Sequence, residues 1–189
     1  MSTTEPTITQ YDGESGVNLL KVIQPIYAEV YAEPPYCEGP AEVDDFRANW
    51  SRFGTAPGFR LVLAHVSEEP VGFAFGVPLS VDTGWWNGLL DHVPASVTRE
   101  HEGRTFAVIE LAVRSPYRRR GIARSLHEGL LAKRPGERAT LLVRPEAEPA
   151  SAAYKAWGYQ PLGRIRPYAS APVYIAMIRD LPLWSNDPS

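Results

Sequence analysis

The sequence predicts a single α/β domain of about seven strands flanked by helices, and three observations predict it. Phe106 to Val113 is an apolar run of strand length, rich in β-branched residues and apolar on both alternating faces, as in a strand buried on two sides. Directly after it the period becomes helical, with Ile122, Leu126 and Leu130 on one face and polar residues between them. Strand-like runs recur before and after this pair, separated by turn-forming residues. At 189 residues and 44% hydrophobic, the chain can bury the core of one domain. No repeat, low-complexity tract or linker divides residues 1–189.

Taken in order, Thr7–Tyr11 reads as a first strand closed by a turn at Asp12-Gly13. Ser15 is placed to cap a helix running to Val30, whose apolar stripe is Val17, Leu20, Ile23, Ile26, Tyr27 and Val30. Pro25 lies inside that stripe and predicts a kink or break. Glu33-Pro34-Pro35-Tyr36 is a stiff connector to a second helix over Val43–Phe53. Phe59–Val66 and Val71–Val77 form a hairpin, with Gly72 and Gly76 marking a bulge or a close backbone approach. From Pro78 to Thr105 the pattern is lost, which predicts a functional loop, a small extra helix or a disordered segment. Its adjacent tryptophans, Trp85 and Trp86, either wall a binding site or cover the edge of the core. Arg138–Arg144 is the next strand, Ala150–Trp157 a short helix ended by Gly158, and Tyr159–Arg166 and Val173–Arg179 are closing strands.

Charge is unevenly spread around a net −3, which excludes a general polyanion binder. The first third is acidic, whereas between Arg99 and Arg144 eleven arginines and lysines face five glutamates. Cys37 stands alone, so neither a disulfide framework nor a cysteine zinc site is expected. The first residues lack the pattern of a signal peptide, and no apolar run approaches the ~20 residues of a membrane span. A cytoplasmic protein without membrane association is expected. Between the central strand and its helix lies the turn Arg118-Arg119-Arg120-Gly121-Ile122-Ala123. A basic, glycine-containing turn opening a helix directs free N–H groups and the positive helix end to one spot, which makes an anion cradle.

That turn resembles motif A of the GNAT acyltransferases, Q/R-x-x-G-x-G/A. The stretch Ala150–Tyr159 resembles motif B, A-x-x-x-Y-x-x-x-G-F/Y, in the order and spacing that the superfamily shows. The resemblance covers nearly the whole chain, is specific from Phe106 to Tyr159, and rests on element order alone before Phe59. It implies a mixed, mostly antiparallel central sheet, with acceptor-side helices at about 14–54 and a long loop at 78–105. It implies acetyl-CoA as co-substrate and no metal. The backbone of Leu111, Ala112 and Val113 would pair with the pantetheine arm, and Arg118, Arg119, Arg120, Gly121, Ile122, Ala123 and Arg124 would hold the phosphates. Many members carry Asn three residues before the motif B alanine; this chain has Ala147, so one pantetheine contact is not expected.

Acetyl transfer from a thioester to an amine requires a base for the amine, polarisation of the carbonyl and a proton for the thiolate. Glu110 is the candidate base, because a carboxylate on a strand buried on both faces is desolvated and its pKa raised. The competing role for Glu110 is an ion pair with an arginine such as Arg144. The resemblance puts Tyr154 near the cofactor sulfur as the candidate acid; by itself it fits equally a residue covering the core. Tyr31, Trp85 and Trp86 are the candidates for the acceptor side, although Tyr31 belongs to an aromatic cluster with Tyr27, Tyr36, Phe46, Trp50 and Phe53 that reads more readily as core and helix packing. The expected acceptor is a small-molecule amine, with a protein amine as the other class, and the family makes a homodimer plausible. A hydrolase is disfavoured because no G-x-S-x-G elbow exists, a metal site lacks ligand spacing, and a nucleic-acid role lacks a wider basic stripe. The remaining rival is a non-catalytic acyl-CoA-binding sensor or interaction module of the same fold.

Overall fold

The computed structural model describes residues 5–133 and 136–182. The elements are β1 (Thr7–Asp12), α1 (Gly13–Val17), α2 (Leu20–Tyr31), α3 (Pro40–Gly54), β2 (Arg60–Val66), β3 (Glu69–Pro78), α4 (Ala95–Thr98), β4 (Thr105–Val113), α5 (Ile122–Leu131), β5 (Arg138–Val143), α6 (Glu148–Ala156), β6 (Gln160–Ile165) and β7 (Tyr174–Asp180). The strands form a seven-stranded sheet in the order β1-β2-β3-β4-β5-β7-β6. The ladders β1/β2, β2/β3, β5/β7 and β6/β7 are antiparallel, and β4 and β5 run parallel. The α/β class and the mostly antiparallel sheet therefore follow the expectation. The chain divides into two compact units: residues 1–77 with 108–132, and residues 78–107 with 133–189.

In the first unit, α2 and α3 supply the aromatic half of a core whose other half is the inward face of β2 and β3. Tyr27 and Phe46 stack with ring centroids 4.1 Å apart, and Trp50 meets Phe75 edge-on at 5.1 Å. Phe59, Leu61, Leu63, Phe73 and Phe75 are at most 1% exposed within this cluster. The helical segment before Val30 is broken, but at Asn18-Leu19, not at Pro25. Pro25 lies on the solvent face of α2, where water can satisfy the carbonyl that its missing N–H leaves free. Ser15 is not the cap: its hydroxyl donates to the Asp12 carbonyl at 2.7 Å, and Asp12 holds the N-cap position. α3 starts at Pro40 instead of Val43, because Pro suits the first helical position and the Glu42 carboxylate accepts the Gly39 N–H at 2.8 Å.

Gly72 marks a close approach. A Cβ there would lie 2.7 Å from the Ala112 carbonyl oxygen and 3.2 Å from Leu126 of α5. The hairpin's register shift falls elsewhere, at Ala64/His65. The opposite face of the β1–β2 pair receives α5, where a Cβ on Gly129 would meet Ile8 and Val62 at 3.3 Å.

In the second unit, β5 pairs with the first residues of β4, Thr105–Ala107, and with the full length of β7. The patternless segment before β4 holds the short α4 and is pinned by polar contacts, which hydrophobic periodicity does not register. Asp91 accepts the Arg164 backbone N–H and guanidinium, each at 2.7 Å, and these bonds hold its carboxyl down at about 2. Glu100 Oε1 is buried among Trp86 Nε1 at 2.9 Å, Thr105 Oγ1 at 3.0 Å and the Arg138 guanidinium at 2.9 Å. α6 begins at Glu148, with Pro149 in its first turn, two residues before the expected Ala150.

Candidate active site

The phosphate-binding candidate is built by local backbone geometry. β4 ends at Val113, the Arg114 N–H donates to the Val71 carbonyl at 2.9 Å, and Ser115–Tyr117 makes one 3-10 turn. Arg119 and Gly121 then take left-handed conformations, φ +62° and +79°. For Arg119 that conformation costs about 1–2 kcal/mol, strain of the kind that ligand-binding turns retain. α5 starts without a side-chain cap and without an acidic residue in its first turn, so the first N–H groups are left to an external acceptor. Among the described residues, and apart from Gly121 and its chain neighbours, no atom lies within 4 Å of where a Gly121 Cβ would stand.

The arginines of the turn divide. Arg118 points its Nε at the Val113 carbonyl, 2.9 Å, and its terminal nitrogen at Glu33, 2.6 Å. Arg119, Arg120 and Arg124 are exposed, and the Arg120 guanidinium lies 5.5 Å from the centre of the Tyr117 ring. Tyr117 donates in turn to Glu69 at 2.7 Å, and Arg114 pairs with Glu69 at 3.1 Å and Glu29 at 3.3 Å. β3 and α2 thus brace both sides of the turn. Of the cofactor-edge residues on β4, Ala112 and Val113 are buried and Leu111 half-buried. The Arg118 contact already uses one acceptor position of the Val113 carbonyl.

Glu110 is the charged residue of β4. Part of its surface remains open to solvent, but its carboxyl is enclosed enough that desolvation pushes it up to about 8. Its partner is Tyr31, whose hydroxyl donates to Oε2 and opposes that rise, while the charge of Glu38 adds to it. Tyr31 and Glu110, 79 residues apart, are therefore brought together. Tyr27, one turn earlier on α2, donates to Glu38 Oε2 at 2.6 Å, and its ring lies 4.5 Å from that of Tyr31. The Glu38 N–H donates to the Tyr31 carbonyl at 2.8 Å, which ties the connector back onto the helix end. In the sequence Tyr27 reads as part of the apolar stripe of the first helix and Glu38 as one acid among several, and neither is predicted as a site residue. Tyrosines at i, i+4 beside an acidic run carried the only signal.

Tyr154, Trp85 and Trp86 belong to the second unit. Tyr154 is half-buried on α6, with its ring edge-on to Trp157 at 5.6 Å and Tyr159 at 5.9 Å. Trp86 is 6% exposed, bonded to Glu100, and lies under the Arg138 guanidinium at 5.5 Å. Trp85 is half-buried, and among the described residues its buried Nε1 has no acceptor. Ala147, where many members carry Asn, is 2% exposed at the start of α6.

A family model described as the acetyltransferase (GNAT) family matches residues 23–159. No curated protein matches the sequence. Among solved structures, the PaiA N-acetyltransferase from Thermoplasma acidophilum in complex with coenzyme A aligns at TM-score 0.62 and 11% identity, covering 94% of this chain and 99% of that one. Aminoglycoside 6'-acetyltransferase type Ii aligns at 0.63 and 20% identity, covering 93% and 98%. The ribosomal-protein-S18-alanine N-acetyltransferase from Escherichia coli aligns at 0.62 and 17% identity, covering 98% and 99%. At these identities the likeness is one of fold.

Proposed function

The chain belongs to the acetyltransferase (GNAT) family and is with it an acetyl-CoA-dependent N-acetyltransferase, and from that premise we propose that it acetylates a primary amine by direct attack, with Glu110 as the general base. The observation that carries the reading is Glu110 itself: a carboxyl raised to about 8 on the strand that leads into the strained turn at Arg119–Gly121. A base with that pKa can take the proton of an alkylammonium near neutral pH, which an ordinary carboxylate does poorly. The turn and the uncapped start of α5 receive the phosphates of the co-substrate through backbone N–H groups, with Arg119, Arg120 and Arg124 adding charge.

In the transfer, the amine nitrogen forms a bond to the thioester carbonyl carbon and the C–S bond breaks. The ammonium proton passes to Glu110, directly or through water. The departing thiolate takes a proton from Tyr154, the acid in this reading. Support for Tyr154 comes from its place in the Ala150–Tyr159 motif and from the aromatic contacts that fix its ring. A small-molecule amine is the proposed acceptor class, since the carboxylates beside Tyr27 and Tyr31 suit a cation.

The test is thiol release from acetyl-CoA over a panel of amines, with Glu110→Gln and Tyr154→Phe as variants. Each substitution should lower turnover by about 10²–10⁴ while the CoA dissociation constant changes little. Equal losses in turnover and CoA binding would overturn both assignments. Stabilisation against heat by CoA but not by ATP, with no turnover of any amine, would favour a binding module instead.

A further inference from the structure

Arg118 belongs to the basic turn by sequence, but its side chain is committed elsewhere. Its Nε donates to the carbonyl of Val113, the last residue of β4, at 2.9 Å, and its Nη1 to the Glu33 carboxylate at 2.6 Å. One planar guanidinium therefore ties the strand that carries Glu110 to the connector that follows Tyr31, and its rigid fork directs both bonds. Glu33 stands two residues beyond Tyr31, and its carbonyl accepts the N–H groups of Tyr36 and Cys37, each at 3.1 Å. The turn so closed brings the Glu38 N–H to the Tyr31 carbonyl at 2.8 Å, so whatever holds Glu33 also holds the backbone of Tyr31. On the other side of Tyr31, Glu29 pairs with Arg114 at 3.3 Å. The end of α2 is thus pinned before and after the residue whose hydroxyl donates to Glu110. The Arg118–Glu33 pair contributes little to the fold, because its side chains are 39% and 36% exposed and ion pairs open to water stabilise weakly.

We propose that Arg118 is a positioning residue for the transfer and not a phosphate ligand: through Glu33 it holds the end of α2 in the register that keeps the Tyr31 hydroxyl on Glu110. The backbone N–H groups of the turn, with Arg119, Arg120 and Arg124, remain for the phosphates. The proposal rests on the reading of Glu110 as the general base, since only then does the Tyr31 contact bear on the reaction. Tyr31 of α2 and Glu38 of the connector are the titratable groups that act on the Glu110 carboxyl; the first, with the larger effect, lowers its pKa and the second raises it. Slackening the strut weakens the Tyr31 contact, so the carboxyl titrates higher.

The test follows the Glu110 carboxyl directly, by carbon-13 NMR titration of the glutamate side chains, with its signal assigned by its loss in Glu110→Gln. Arg118→Met and Glu33→Met each remove one end of the strut and keep the length of the side chain. Both should raise the Glu110 midpoint by roughly half a pH unit or more. A through-space effect alone would give opposite signs, since one variant removes a positive charge and the other a negative one. In a Tyr31→Phe background the shift of either variant should shrink by at least about half. The CoA dissociation constant of Arg118→Met should stay within about twofold, whereas loss of a charge-assisted bond to phosphate would weaken binding at least about tenfold. Shifts of opposite sign, no shift, shifts that keep their full size without the Tyr31 hydroxyl, or the tenfold loss would each overturn the proposal. The pH profile of kcat/KM keeps the two readings apart. If the carboxyl midpoint rises in both variants and the profile does not follow, Glu110 is not the base and the positioning contact stands. An unmoved carboxyl beside a wild-type profile centred near 8 removes the strut alone.

Discussion

A carboxyl that titrates near 8 works as a base only in the fraction of molecules that have lost its proton. With Glu110 as base, kcat/KM should rise with pH to a midpoint near 8, and a steady-state profile between pH 6 and 10 checks this. Tyr31 donates to the charged form and so holds the value down. Tyr31→Phe should therefore move the midpoint upward, and a downward or absent shift would show that the hydroxyl does not act on Glu110. Stability carries the opposite sign. The folded state holds the Glu110 proton to higher pH than the unfolded chain does, so it binds more protons between about 4.5 and 8 and loses stability as pH rises through that window. Glu110→Gln should thus gain melting temperature relative to wild type at pH 9 compared with pH 4. The sequence exposes Glu110, because one charge in an apolar strand stands out. It does not expose Tyr31 as the partner in place of Arg144, since that pairing spans 79 positions and three-dimensional packing alone selects it. Glu38 was hidden for a related reason: in an acidic stretch one more glutamate carries no contrast.

Among the elements, α5 has no acidic residue in its first turn and no basic residue in its last. Its rear is capped from outside: Arg60 of β2 donates to the carbonyls of Leu130 at 3.3 Å and Ala132 at 2.7 Å. A guanidinium there satisfies orphan carbonyls and compensates the negative helix end. Gly121 and Gly72 are demanded by different causes, one conformational and one steric. Gly121→Ala has space for a methyl but not the backbone freedom, so it should cost about 1–2 kcal/mol and weaken CoA binding. Gly72→Ala must displace the Ala112 carbonyl and should cost about 1–3 kcal/mol, read as a fall in melting temperature. Strands and helices were legible wherever one face was consistently apolar. Boundaries were not, when solvent could compensate a local rule: Pro25 remains inside α2 because it faces water, and the break moves to Asn18-Leu19.

For the molecule as a whole, the chain leaves the first unit at Val77, returns at Val108 and leaves again after Ala132. The segment that intervenes is anchored by Glu100, which with Arg138 forms an ion pair whose side chains are 1% and 5% exposed. Glu100→Ala leaves a buried guanidinium without its counter-charge and should cost about 3–5 kcal/mol by denaturant titration. Glu100 sits within a charged stretch, Arg99 to Arg104, whose composition resembles solvated surface and does not distinguish it from Glu102. The path of the chain also sets an order in time. During synthesis the aromatic face of β2–β3 can be covered at once by α2 and α3, which have already emerged. The face carrying Ile8 and Val62 has to wait for α5, beyond residue 121. At about 5–20 residues per second, the stretch from Pro78 to Gly121 imposes a delay of roughly 2–9 s. Over that interval the nascent chain offers a half-finished apolar surface to whatever meets it at the ribosome.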